Sequence, residues 1–301
     1  MRKLLALSAM AVLCVAQSAM AAPISLPSDS PIAIKFSNRE QVNTNVVGAI
    51  DVPDSATKVY GLTDTWGVFI VQSISLGSVT DPNHTIEDSG NPPFFVNGQN
   101  GGNQIYGIFY DSTITAADPV TGSSSTGGHL DLYWSDTISV SLAGDAINGI
   151  AAATPDSATV TRFTSGTLLA SLNFDTGIDP GNPTTTVKSL QDISNPTLLQ
   201  GHSNGYLSVN QAAGGAWANA IDSNWFQTLF GNRDLFFEND FKRASTIGWD
   251  SCTAVGGGTC TGFTSSDPVT AFTVPEPASL TLLGLGLAGV AARRRKALMT
   301  K

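Results

Sequence analysis

Between residues 22 and 273 the apolar positions recur with a period of two. In Trp66 to Leu76, the residues Val68, Ile70, Ile74 and Leu76 share one face, which is the signature of a half-buried strand. The same alternation marks Ile32 to Phe36, Gln104 to Tyr110, His129 to Trp134, Val160 to Phe163, Leu168 to Phe174, Tyr206 to Val209 and Asp234 to Glu238. Turn-forming clusters separate these runs, among them Asn100-Gly101-Gly102, Gly122 to Gly128 and Asp179-Pro180-Gly181-Asn182-Pro183. Frequent strands joined by such turns predict an all-β domain, an antiparallel β-sandwich. One segment, Ala216 to Phe230, carries Trp217, Ile221, Trp225 and Leu229 at every fourth position. That spacing reads either as a helix or as an aromatic loop covering the core.

Both ends depart from this pattern. Arg2 and Lys3 precede an apolar stretch from Leu4 to Val15, and Ala19-Met20-Ala21 supplies small residues for cleavage, so residues 1–21 read as a secretory signal peptide. Export then proceeds through the Sec translocon and signal peptidase. At the other end Val274-Pro275-Glu276-Pro277 is followed by an uncharged run, Leu280 to Ala292, and by Arg293-Arg294-Arg295-Lys296. A helix of that length spans ~20 Å, so flanking residues must complete a single transmembrane helix. The basic cluster stays cytoplasmic by the positive-inside rule. The chain thus divides into a signal peptide (1–21), a β-rich secreted domain (22–273) and a terminal tag (274–298). Within the tag, Gly284 to Gly289 matches a dinucleotide-binding spacing, but no strand precedes it and no βαβ unit surrounds it.

The ordered triplet of Pro275-Glu276-Pro277, short apolar helix and Arg293 to Lys296 cluster resembles the bacterial PEP-CTERM sorting signal. The resemblance implies an exosortase as processing partner, a Gram-negative host that produces exopolysaccharide, and transfer to the cell surface or extracellular matrix. Physically, two prolines deny backbone donors and hold an extended segment beside the bilayer. More loosely, Trp66-Gly67-Val68-Phe69, Gln104 to Tyr110, Gly127 to Tyr133 and Asp234 to Glu238 resemble the flocculation-associated branch of these proteins. That branch implies cell aggregation within a polysaccharide matrix.

Charge narrows the partners. Residues 22–273 hold 8 Lys+Arg against 23 Asp+Glu, a net charge of -15, which opposes nucleic-acid phosphates. The exported chain retains Cys252 and Cys260, and an oxidising compartment predicts a disulfide between them. Of His84, His129 and His202, none stands in a metal-binding spacing, and His129 is expected to face solvent beside Asp131. No nucleophile elbow or phosphate loop is present, so the sequence offers no catalytic residue. Two turn-rich acidic segments could hold calcium: Asp175, Asp179 and Asn182 in one, and Asp81, Asn83, Glu87 and Asp88 in the other. Ordinary Asx turns are the alternative. Carboxylate pairs such as Asp131 with Asp136, or Glu238 with Asp240, could be drawn for a glycosidase. The expected function is a non-enzymatic surface or matrix protein associated with extracellular polysaccharide. The alternatives are a calcium-dependent carbohydrate-binding module and, after it, a polysaccharide hydrolase.

Overall fold

A computed structural model describes residues 24–43, 65–80, 85–99, 103–118, 122–142, 158–191, 200–243 and 260–274. Alternating sequences become strands β1 (Ser30–Asn43), β2 (Thr65–Val79), β3 (Ile86–Asp88), β4 (Phe95–Val96), β5 (Gln104–Asp118), β6 (Gly122–Ser135) and β7 (Thr167–Asp175). They continue as β8 (Val187–Gln191), β9 (Gln200–Val209), β10 (Phe226–Thr228), β11 (Gly231–Arg233), β12 (Leu235–Arg243) and β13 (Cys260–Thr273). Two short helices complete the described residues, α1 (Ala158–Phe163) and α2 (Ala218–Ile221).

Among the described residues the strands are antiparallel, but they do not form two facing sheets; β10 and β11 pair only with each other. A single sheet runs β1-β13-β12-β9-β7-β6-β5-β2, and β1 pairs β2 as well, so the ring closes. Around it the strands follow chain order, with the first and last joined side by side from Ser30↔Thr273 to Asn43↔Cys260. This is an up-and-down barrel in place of the expected sandwich. Closure satisfies the backbone groups that an open sheet leaves on its two edges. One stave is composite. β7 and β8 both lie between β6 and β9, β7 opposite His129 to Trp134 and β8 opposite Ser123 to Ser125 of β6, with residues 176–186 looping out between them.

Each strand gives the barrel interior its alternate residues. Ile34, Phe36, Phe69, Leu132, Leu172 and Phe237 belong to one buried cluster. Phe36 stacks on Phe237 at 5.9 Å and meets Phe69 edge-on. Gly67 and Gly107 are required by this packing: Phe69 lies opposite Gly107 and Phe109 opposite Gly67 across β2 and β5. A Cβ on Gly107 would strike the Asp131 carbonyl oxygen and the Phe69 ring. A second cluster lies outside the wall, where Val68, Ile70, Tyr106 and Ile108 are covered by Val160 and Phe163 of α1.

Two local expectations are corrected, and a third, which left two readings open, is resolved. Val160 to Phe163 is helical, and it caps outward-facing apolar residues that a strand there would leave exposed. Val68 and Ile70 do not share a face with Ile74: the β1–β2 register shifts between Lys35 and Phe36, so Ile74 turns inward while the other two turn outward. In Ala216 to Phe230 only Ala218–Ile221 is helical. The rest is an aromatic cover: Trp217 is 1% exposed in the barrel core, Trp225 stacks on Phe272 at 3.9 Å, and Leu229 is 78% exposed. No helix among the described residues is long and apolar enough to cross a membrane. The expected transmembrane helix lies outside the described residues.

Candidate functional site

The last strand carries the chain directly to its sorting sequence. Thr273 is fully buried, and its hydroxyl lies 2.5 Å from the Pro27 carbonyl and 3.0 Å from that of Ser30, while the Ser30 N–H lies 3.1 Å from the same oxygen. Val274 N–H donates to the Ala220 carbonyl (2.8 Å), and the Trp217 indole donates to the Ile24 carbonyl (2.8 Å). The beginning and end of the described chain are therefore tied to one mouth of the barrel. Pro275 is the next residue after Val274, so no spacer separates barrel and tag.

The predicted sorting residues Pro275, Glu276, Pro277, Arg293, Arg294, Arg295 and Lys296 lie outside the described residues, as do Ala19, Ala21 and Cys252. Cys260 opens β13 opposite Asn43. Asp81 and Asn83 of one acidic segment are also outside, whereas Asp88 forms an ion pair with Lys35 (2.6 Å) and accepts from Ser75 (3.1 Å). In the other segment Asp175 pairs with Arg233 (3.3 Å), and Asp179 pairs with Lys188 (3.2 Å) and accepts from the Gly181 N–H. Asn182 makes an Asx turn to Thr184. No group of three metal-ligating side chains gathers among the described residues.

Arg233 is the better anchored partner of these ion pairs. Buried, it also donates to both the carbonyl and the hydroxyl of Thr176. Beside it Asp234 accepts from the backbone N–H groups of Val209 (2.8 Å) and Asn224 (2.7 Å). Burial raises its carboxyl above the usual range, and those two donors partly offset the shift.

His129 lies on the outer face of β6 with Asp131, alternating with the inward Leu130 and Leu132. It is half-buried, its ring tilted by 31° against Tyr110 at 5.2 Å, and its Nδ1 lies 2.8 Å from Asn173 Oδ1. Asp131 is 3% exposed and Asp136 exposed, so the two sit in unlike surroundings. Glu238 and Asp240 are both exposed, two residues apart on the outer side of β12.

Two spaces distinguish the barrel's faces. Inside, Phe36, Phe69, Leu132, Leu172 and Phe237 surround a cavity of only about 30 Å³, far below the ~300–1,000 Å³ of a small-molecule pocket. Outside, across β9, β12, β13 and β1, lies a groove of about 540 Å³. Its floor and walls include Ser37, Arg39, Gln200, His202, Asp240, Lys242 and Thr264. Register places these residues in two rows. Gln200 stands opposite Lys242, Lys242 opposite Thr264, and Thr264 opposite Arg39, while His202 stands opposite Asp240. Arg39 is held partly under the surface, and burial lowers its pKa. One guanidinium N–H donates to the Asn38 carbonyl (3.3 Å), while the buried Nε has no acceptor among the described residues. In the linear sequence His202 and Asp240 stand out separately, and Arg39, Lys242 and Thr264 do not. Their signal is visible only when strands distant in sequence are laid side by side.

Residues 273–296 match the PEP-CTERM protein-sorting motif. No curated protein and no solved structure matches the chain. The motif implies an exported protein, anchored at the membrane and processed by an exosortase.

Proposed function

We propose that this chain is a non-enzymatic cell-surface and matrix protein that associates with extracellular polysaccharide and supports biofilm formation or flocculation. After export through the Sec translocon, signal peptidase cuts following Ala21. The tail retains the protein at the inner membrane, with Arg293 to Lys296 on the cytoplasmic side. An exosortase then acts near Pro277 and passes the barrel outward.

The observation that carries this reading is the attachment of a closed barrel, packed inside, directly to the sorting motif at Thr273. A filled interior favours work done on the outer surface, and the tag supplies the address. The absent spacer puts the substrate barrel beside the membrane-embedded enzyme. It also makes the prolines useful, since they remove two backbone donors and hold the segment to be cut extended.

The test is intact mass with C-terminal peptide mapping of native protein from cells with and without their exosortase, joined to fractionation of the matrix. A chain ending near Pro277 only when the enzyme is present, and recovered with polysaccharide, supports the reading. Full-length tails in both strains would remove the exosortase step. Absence from the polysaccharide fraction would remove the matrix role.

A further inference from the structure

We propose that the outer-wall groove binds an acidic sugar unit of a polysaccharide, with Arg39 and Lys242 receiving its carboxylate and the neighbouring polar groups receiving its hydroxyls. The proposal rests on the matrix reading only for the source of the glycan.

The argument begins with register. Lys242 and Arg39 stand on either side of Thr264, two strand spacings or ~10 Å apart. Gln200 continues the row, so it presents an amide, an ammonium, a hydroxyl and a guanidinium in sequence. All four can donate hydrogen bonds to an acidic sugar. The adjacent His202–Asp240 pair and Ser37 add groups that can accept from ring hydroxyls as well as donate to them. A neutral ligand would not need two cations, and a simple anion would not need the second row.

Charge makes the arrangement selective. The exported domain carries -15, so an acidic polymer is repelled from most of its surface. Lys35, Lys188 and Arg233 are each paired with a carboxylate. Arg39 and Lys242 stand in no ion pair among the described residues, and the guanidinium carries a buried N–H without an acceptor. An incoming carboxylate would meet the accessible end of the half-buried guanidinium in a partly desolvated site, where a charge-assisted hydrogen bond is stronger than in water. The groove lies along an open wall, so a polymer can pass through it without threading an end.

The native mature protein should be titrated calorimetrically at low salt with hexagalacturonate, with maltohexaose as a neutral sugar and with polyglutamate as an acidic polymer that is not a sugar. Binding of hexagalacturonate at least tenfold tighter than either control is expected. It should weaken at least tenfold in Lys242→Gln and in Arg39→Gln, and decline as salt rises. Lys242 is exposed, so its variant remains informative if Arg39→Gln unfolds. Equal binding of maltohexaose or polyglutamate, unchanged affinity in folded Lys242→Gln, or no binding of hexagalacturonate would each overturn the proposal. The matrix reading fails separately. If native protein is absent from the polysaccharide fraction yet binds hexagalacturonate through Lys242, the groove stands and the matrix role falls. If native and Lys242→Gln proteins fractionate alike with matrix and neither binds hexagalacturonate, the groove falls and the matrix role stands.

Discussion

The two faces of one wall, β9-β12-β13-β1, have been put to opposite uses. Facing inward, Leu207, Leu235, Val269 and Ile34 pack into a core whose residual space is about 30 Å³. Facing outward, Lys242, Thr264 and Arg39 line a polar groove of about 540 Å³. Barrels of this strand number can be filled by side chains or can hold a ligand. Here the large Phe and Leu side chains take the interior, which leaves the exterior for the proposed recognition. Inner residues should accordingly govern stability, and groove residues should govern binding alone.

The hardest blow to the inner face is Trp217→Ala, which empties the mouth of the barrel and releases the Ile24 carbonyl. A loss of about 3–5 kcal/mol is expected, measured by urea unfolding. A midpoint equal to native would show that the plug is not part of the core. Gly107→Ala should cost about 3 kcal/mol, because its methyl group meets backbone oxygen and an aromatic ring that cannot both withdraw. An unchanged melting temperature would show that the β5–β6 pairing yields more easily than the packing suggests.

Glu40 tests the upper interior by pH. It follows Phe36 and Asn38 on the same face of β1, and burial pushes its carboxyl up to about 7 from an ordinary 4.5. The folded state therefore holds the proton more tightly than the unfolded chain. This contribution is fully present below pH ~4.5 and is lost as pH rises through 7; the side chain is only half-buried, so the fall between pH 5 and 8 is expected to reach at most about 2 kcal/mol. Glu40→Gln should be less pH-sensitive across that window than native protein. Parallel stability curves for the two would reject the assignment. The smallest expected effect is on the outer face: Lys242→Gln should change stability by less than ~0.5 kcal/mol, as judged by thermal melting. A large loss there would make the groove part of the scaffold and erase the contrast between the faces.

Much of the strand content was readable because alternation is local. Ile32 to Phe36 and Leu168 to Phe174 announce their pleat without reference to any partner. The pattern fails where a distant contact overrules it. Val160 to Phe163 alternates on paper, yet it is a helix that covers the outward-facing apolar residues of β2 and β5. Val68 and Ile74 share a face by period, and only the shifted pairing with β1 separates them. The candidate groove was less legible still. Arg39, His202, Asp240, Lys242 and Thr264 are ordinary surface residues in the linear chain. They form a site only because β9, β12, β13 and β1 become neighbours.

By itself the sequence determined the tripartite tag, the acidic exported domain and its antiparallel β character, because each depends on composition or on short-range spacing. Tertiary structure decided between sandwich and barrel, filled the interior and assembled the groove. The reason is physical: a strand's pleat fixes which residues share a face, but not which strand lies beside it. That choice was made by pairings such as Ser30 with Thr273, 243 residues apart, where the first and last staves satisfy one another's backbone and close the ring.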